Sequence, residues 1–218
     1  MTAENKIAAA DAQNGHVQDR LLDAAERLFC EKGFDRTSVR DLTRAANCNV
    51  AAVNYHFGGK DKLYLQMFKR QIRRMMDRQR AVIARITAQP DATLEDLLRG
   101  AVSEALQQLK SSEQSGALMK LLAREMLDRR PDNIALLGEV EADFYGLFAE
   151  AFRKFCPHLT DRQMQLLFFS LDALVAHPVL FHEFYKDVMP DLTVEDLVEH
   201  VVKVAAAGIR AYAQGGGQ

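Results

Sequence analysis

Between residues 49 and 64 the chain reads NVAAVNYHFGGKDKLY, a stretch rich in side chains that bind rather than fill a core. Asn54 offers a carboxamide, whose paired donor and acceptor match the two polar atoms of an adenine edge. Tyr55 and His56 carry an O–H and ring nitrogens able to reach a phosphate or a base edge. Val50 is apolar at a helix start, where a thymine methyl is a suitable contact, while Ala51 and Ala52 are small enough for close approach. Lys60 follows Gly58 and Gly59 and opens the next predicted helix, which puts an ammonium beside backbone N–H groups that already favour phosphate. Thr37 and Ser38, at an earlier helix start, add hydroxyls for the same purpose. Together these groups suit the surface of double-stranded DNA; the rival expectation is a helical interaction module that binds no DNA.

Charge is distributed to match. The 218 residues have a net charge of −2. Residues 60–85 hold nine lysines and arginines against Asp61 and Asp77, whereas residues 86–218 hold twelve against twenty acids. A basic band beside an acidic body favours an anionic partner arriving from one end.

The elements that must position these groups all read as helices, with no strict alternation of a strand anywhere. The first helix is predicted to start near Gln18, with Leu21, Leu22, Ala25, Leu28 and Phe29 on one face and Gly33 after its end. Residues 1–17 are expected to form a flexible arm. Ser38 and Asp41 make a capping box for a short second helix that ends around Ala46, with Val39, Leu42 and Ala45 facing inward. Asn49 caps a third short helix with Val53 inside it, Cys48 and Val53 forming a hydrophobic staple, and Gly58-Gly59 closing it. Two short helices joined by residues 46–49, with a third packed before them, form a helix-turn-helix. The start of the last of these helices is the end that meets base edges. Further helices are predicted over 61–88, from Thr93 to Lys110, after the polar break at 111–116 to Arg130, from Pro131 to Phe155, over 161–177 and over 194–212, with 215–218 frayed. Thr93/Asp96, Thr160/Gln163 and Thr193/Asp196 supply three more capping boxes.

Residues 18–64 strongly resemble the DNA-binding domain of TetR-family transcriptional repressors. The matching residues are Ala24-Ala25, Leu28-Phe29, Gly33-Phe34, the run from Thr37 to Leu42, Ala45-Ala46, Tyr55-His56-Phe57, Lys60 and Leu63-Tyr64. The resemblance implies an all-α protein of about nine helices. A helix-turn-helix domain at 18–60 would precede an effector-binding and dimerisation domain at 61–214. It implies a homodimeric, cytoplasmic repressor on a pseudo-palindromic operator, released by a small effector. The DNA-binding set is then Thr37, Ser38, Arg40, Asn49, Val50, Ala51, Asn54, Tyr55, His56 and Lys60. Two departures stand out: Asn47-Cys48 replaces the usual Gly-Val, and Asn54 occupies a position that is commonly aromatic. The run from Asn49 to Lys60, with residues 121–131, also looks like the CecR-like repressors, some of which govern efflux genes. The dimer helices would pack through Met164, Leu167, Phe168, Leu171 and Leu174, and through Leu197, Val201, Val204, Ala205 and Gly208.

A hydrophobic or aromatic effector would enter a pocket among Met119, Met126, Phe144, Phe148, Phe152, Phe168 and Phe169, with Arg124, Glu125 or His177 as polar anchors. No metal or other cofactor is expected: His177 and His182 are five residues apart, off one helical face, with Pro178 between them. None of the nucleophile-elbow, zinc-protease, P-loop or dinucleotide fingerprints occurs, so no enzyme is expected. The three cysteines lack a C-x-x-C and suit reduced thiols. No eighteen residues run apolar without a break, so no membrane partner is expected.

Overall fold

Ser38, Thr93, Thr160 and Thr193 each cap a helix by the reciprocal bonds expected of them. Ser38 Oγ accepts from the Asp41 N–H at 3.1 Å while Asp41 Oδ2 accepts from the Ser38 N–H at 3.1 Å. Thr193 and Asp196 exchange the same pair at 3.1 and 3.0 Å. These hydroxyl and backbone donors favour the ionised acid and hold the Asp41, Asp96 and Asp196 carboxyls below their ordinary range.

The structure is a computed structural model that describes residues 3–109, 121, 123–125, 127 and 131–214. Every regular element among them is helical, as expected: α1 (Ala3–Lys32), α2 (Val39–Ala45), α3 (Ala51–Phe57), α4 (Lys60–Thr87), α5 (Leu94–Leu106), a 3-10 turn (Gln107–Leu109), α6 (Pro131–Phe155), α7 (Asp161–Leu180), α8 (His182–Val188) and α9 (Val194–Gln214). The polar break at 111–116, most of the helix predicted to end at Arg130 and the tail at 215–218 lie outside the described residues.

The chain divides into two units, Met1–Arg73 and Arg74–Gln218. In the first, Leu21, Ala25, Leu42, Val53, Leu63 and Met67 are fully buried. Phe29 and Tyr64 meet edge to face at 5.0 Å. Arg70 on α4 bridges Asp23 and Glu26 of α1 at 2.7 and 3.3 Å.

In the second unit, α5 lies along α9, and Leu97, Leu98 and Val102 join Val198, Val201 and Val202 in the core. Arg99 forks onto Glu199 at 2.7 and 3.0 Å, and Arg210 pairs with Glu95. Gly100 is where α5 approaches α4: a Cβ there would collide with Ile86 and stand 3.1 Å from Val82. Lys154 Nζ donates to the Thr87 carbonyl at the end of α4.

Several expectations need correction. Helix α1 begins at Ala3, so the segment read as an arm from 3 to 17 is helical; its alanines are strong helix formers and no proline interrupts them. Ala45 is exposed, and the inner face of α2 is completed by Thr43 and Ala46. Helix α7 continues through Pro178 to Leu180, and α8 follows where no helix was predicted. The faces expected to dimerise point largely into the chain's own core, with Met164 at 1%, Leu167 at 9% and Val201 at 2% exposure. By average hydropathy (1.2) and length, α7 is long and apolar enough to cross a membrane. Its apolarity serves two sides at once, however: Met164, Leu167, Val175 and Val179 are buried within the chain while Leu166 and Phe169 face outward.

Candidate nucleic-acid interface

The turn between α2 and α3 is built by main-chain bonds that finish α2. The Asn47 N–H donates to the Arg44 carbonyl at 3.2 Å and the Cys48 N–H to the Thr43 carbonyl at 3.0 Å. This is a Schellman ending, which requires a left-handed residue between the two. Asn47 supplies it with φ of 49°, and no other non-glycine residue described has a positive φ. The departure from the usual glycine is thereby explained, since asparagine tolerates this region better than other side chains. Arg20 on α1 adds a brace to the turn, its Nε donating to the Ala46 carbonyl at 3.0 Å. Nothing local in the sequence signals that contact.

Asn49 caps α3 as expected. Its Oδ1 accepts from the Ala51 N–H at 2.9 Å and its carbonyl from the Ala52 N–H at 2.9 Å. Val50 already has helical angles, φ −55° and ψ −34°, so α3 effectively starts there. Val53 and Phe57 bury its inner side. Gly58, at φ 72°, ends the helix, and its N–H donates to the Asn54 carbonyl at 2.9 Å. The seven residues of α3 span about 10 Å, within the roughly 12 Å width of a major groove.

Seven of the ten expected DNA-binding residues are exposed: Ser38, Arg40, Asn49, Val50, Ala51, Asn54 and Tyr55. Val50 is 51% and Tyr55 76% exposed, an unusual state for such side chains. His56 is half-buried, its ring edge-to-face with Tyr55 at 4.9 Å. Lys60 is half-buried as well, its Nζ 4.0 Å from the centre of the Phe34 ring. Thr37 is the correction. It is fully buried, and its hydroxyl is set between the Gly33 and Leu28 carbonyls at 2.8 and 3.2 Å. It ties the end of α1 to the start of α2 and has no surface to offer a phosphate.

The basic band on α4 is not uniform. Arg70 is committed to α1, Arg78 meets Glu104 at 2.9 Å, and Arg80 meets Asp77 at 3.4 Å. Lys62, Lys69 and Arg73 are exposed. Burial first, then Glu26 and Glu31, push the thiol of half-buried Cys30 up to about 11. Burial also raises Cys48, a half-buried thiol that nearby Arg20 only partly offsets.

The expected effector set divides. Phe148 and Phe152 stack at 4.0 Å, and Phe168 packs on Phe148 at 5.3 Å. Phe144 is half-buried, and Phe169 is a correction: it faces outward on α7 at 72% exposure. His177 is exposed and sits instead by Phe181 and Tyr185, at 4.8 and 5.7 Å. Met119 and Met126 lie outside the described residues. A groove of about 530 Å3 between α4 and α5 was not foreseen; Val82, Ile86 and Gly100 form part of it, with Arg85, Asp96 and Ser103. Among the described residues no cluster of His, Cys, Asp and Glu is placed to hold a metal.

Residues 21–67 match the family model for bacterial regulatory proteins of the tetR family. The biofilm operon icaADBC negative transcriptional regulator IcaR of Staphylococcus aureus (strain Newman) is 38% identical over 53 residues, 24% of this chain and 28% of that protein. The chain thus spans about a quarter of the length of such curated relatives. Solved structures agree over more of the chain. The fatty acid degradation regulator FadR from Bacillus halodurans superposes with a TM-score of 0.65 at 21% identity, covering 86% of this chain and 96% of that one. FadR from Bacillus subtilis in complex with stearoyl-CoA gives 0.66 at 14% identity, covering 87% and 97%.

Proposed function

We propose that this chain, which carries the TetR-family domain over residues 21–67, is a repressor that binds a pseudo-palindromic operator as a homodimer. The observation that carries the reading is the outer face of α3. Asn49, Val50, Ala51, Asn54 and Tyr55 stand exposed on a helix fixed at both ends by its caps and braced on its inner side by Val53 and Phe57. A rigid helix with hydrogen-bonding and apolar tips is what direct readout of a major groove needs. Ser38, Arg40, His56 and Lys60 serve the flanking phosphates, which set register and orientation.

Dimerisation is supported by apolar side chains left outward on the last long helices. Leu166 and Phe169 on α7 are 40% and 72% exposed, and Val204 on α9 is 43% exposed. Val204, Ala207 and Ala211 recur at helical spacing. A second copy covering this stripe gives the two-fold symmetry that a palindromic site mirrors.

Release by a small molecule belongs to the second unit, where the Phe148, Phe152 and Phe168 rings are an apolar place for it. A long acyl thioester leads the ligands to test, because that is what the similarly folded Bacillus subtilis FadR holds. The narrower resemblance to CecR-like repressors would set efflux genes among the targets. The protein works in the cytoplasm and needs no metal or cofactor.

The test is selection. Purified chain is mixed with fragmented genomic DNA of its source, and retained fragments are sequenced. Inverted half-sites about one helical turn apart are expected, with affinity falling steeply between about 50 and 200 mM salt. A folded dimer that retains no fragment above background would instead be a helical interaction module.

A further inference from the structure

Lys60 has an aromatic partner rather than an acidic one. No ion pair among the described residues includes it. Its Nζ lies over the face of Phe34, 4.0 Å from the ring centre, well within the roughly 6 Å reach of a cation–π contact. That ring is itself mounted on the core. It stacks on Phe29 at 5.7 Å with planes 25° apart and meets Tyr64 at 5.0 Å, and both partners are nearly fully buried.

We infer that Phe34 is a positioning residue for Lys60: its ring holds the ammonium at the start of α4, ready for a phosphate oxygen. A free lysine stem must be immobilised when it binds, and its rotamer freedom is among the largest of any side chain. Here the ring restricts the stem beforehand, while the ammonium keeps donors for an oxygen. The inference rests on the DNA-binding reading above and adds a residue that meets no DNA.

The experiment measures full-length protein on a fluorescent random-sequence duplex of about 40 base pairs across a salt series, because phosphate contacts do not depend on sequence. Lys60→Ala lowers the slope of log affinity against log salt by about one. Phe34→Leu weakens binding about threefold to tenfold when Lys60 is present and by less than about twofold in the Lys60→Ala background. Phe34→Tyr keeps wild-type affinity. Pentafluorophenylalanine at position 34 keeps the ring's shape, reverses the charge on its face and reproduces the loss with unchanged helicity.

Equal weakening in both lysine backgrounds overturns the inference, as does unaltered binding with the fluorinated ring. Should Phe34→Leu not fold, the fluorinated ring decides. If wild-type protein binds no duplex, the repressor reading fails and takes this inference with it. If wild type binds but positions 34 and 60 act independently, only this inference fails.

Discussion

Arg20 on α1 and Ala46 at the end of α2 are joined by a single hydrogen bond, Nε to carbonyl, at 3.0 Å across twenty-six residues of sequence. The bond fixes the turn on which the direction of α3 depends. Arg20→Met removes the donor and leaves a carbonyl to find another partner, which costs about 1–2 kcal/mol. Urea unfolding measures this, and unchanged midpoint and slope would show that the brace is idle.

The left-handed Asn47 makes a prediction that can be read from two substitutions at one site. With φ at 49°, Asn47→Gly keeps the turn without a Cβ penalty, so stability stays within about 0.5 kcal/mol. Asn47→Val forces a branched side chain into the same region and costs about 1–2 kcal/mol. Thermal melts that rank valine at or above glycine would contradict the backbone assignment.

Tyr55 and Thr37 should separate binding from folding. Tyr55 is 76% exposed, so Tyr55→Ala leaves the melting temperature nearly unchanged but weakens a selected operator by more than about 1 kcal/mol. Thr37 bonds two carbonyls inside the fold. Thr37→Val therefore costs about 1–2 kcal/mol of stability and leaves the salt slope of DNA binding alone. A Thr37→Val protein of normal stability with a slope reduced by about one would restore Thr37 to the phosphate contacts.

The thiols should be slow to react. With its pKa pushed up to about 11, Cys30 is ionised at roughly one part in a thousand at pH 8. Its folded pKa lies above the unfolded value, so the stability it confers is complete below about pH 9 and is lost as pH rises from there toward about 11. Iodoacetamide at pH 8 is expected to label the half-buried Cys30 of native protein tens of times more slowly than the same thiol in urea-unfolded chain; mass spectrometry showing equal rates would refute this.

The local signals in the sequence were readable because they act over three or four residues. The four capping boxes, Asn49 as a cap and Gly58 as a terminator needed no knowledge of distant chain. Thr37 was misplaced because a hydroxyl at a helix start can serve a surface or close a helix end, and the choice depends on the Leu28 and Gly33 carbonyls. Arg20 and Phe34 act across 26 residues in each case, to Ala46 and Lys60, and periodicity carries no trace of such contacts. The stripe of α7 expected to dimerise, with Met164 and Leu167, is instead buried within the chain, and it was misplaced for a related reason. Met164 and Leu167 form one apolar stripe and Leu166 and Phe169 another, and sequence spacing alone does not say which stripe meets the chain's own α6 and α9.

That placement sets the test of the dimer. Phe169 lies outward on α7 at 72% exposure, whereas Val201 on α9 is 2% exposed inside the chain. Phe169→Glu therefore leaves the monomer fold intact but puts a charge into the surface proposed for a second copy, where an unpaired buried charge costs several kcal/mol. Sedimentation velocity should show helical, folded monomer at micromolar concentrations where the proposed wild-type dimer is expected, and operator affinity should fall with it because one half-site is held at a time. Val201→Glu should instead lose helicity outright. If Phe169→Glu remains dimeric with unchanged operator affinity, the exposed α7 stripe is not the dimer surface.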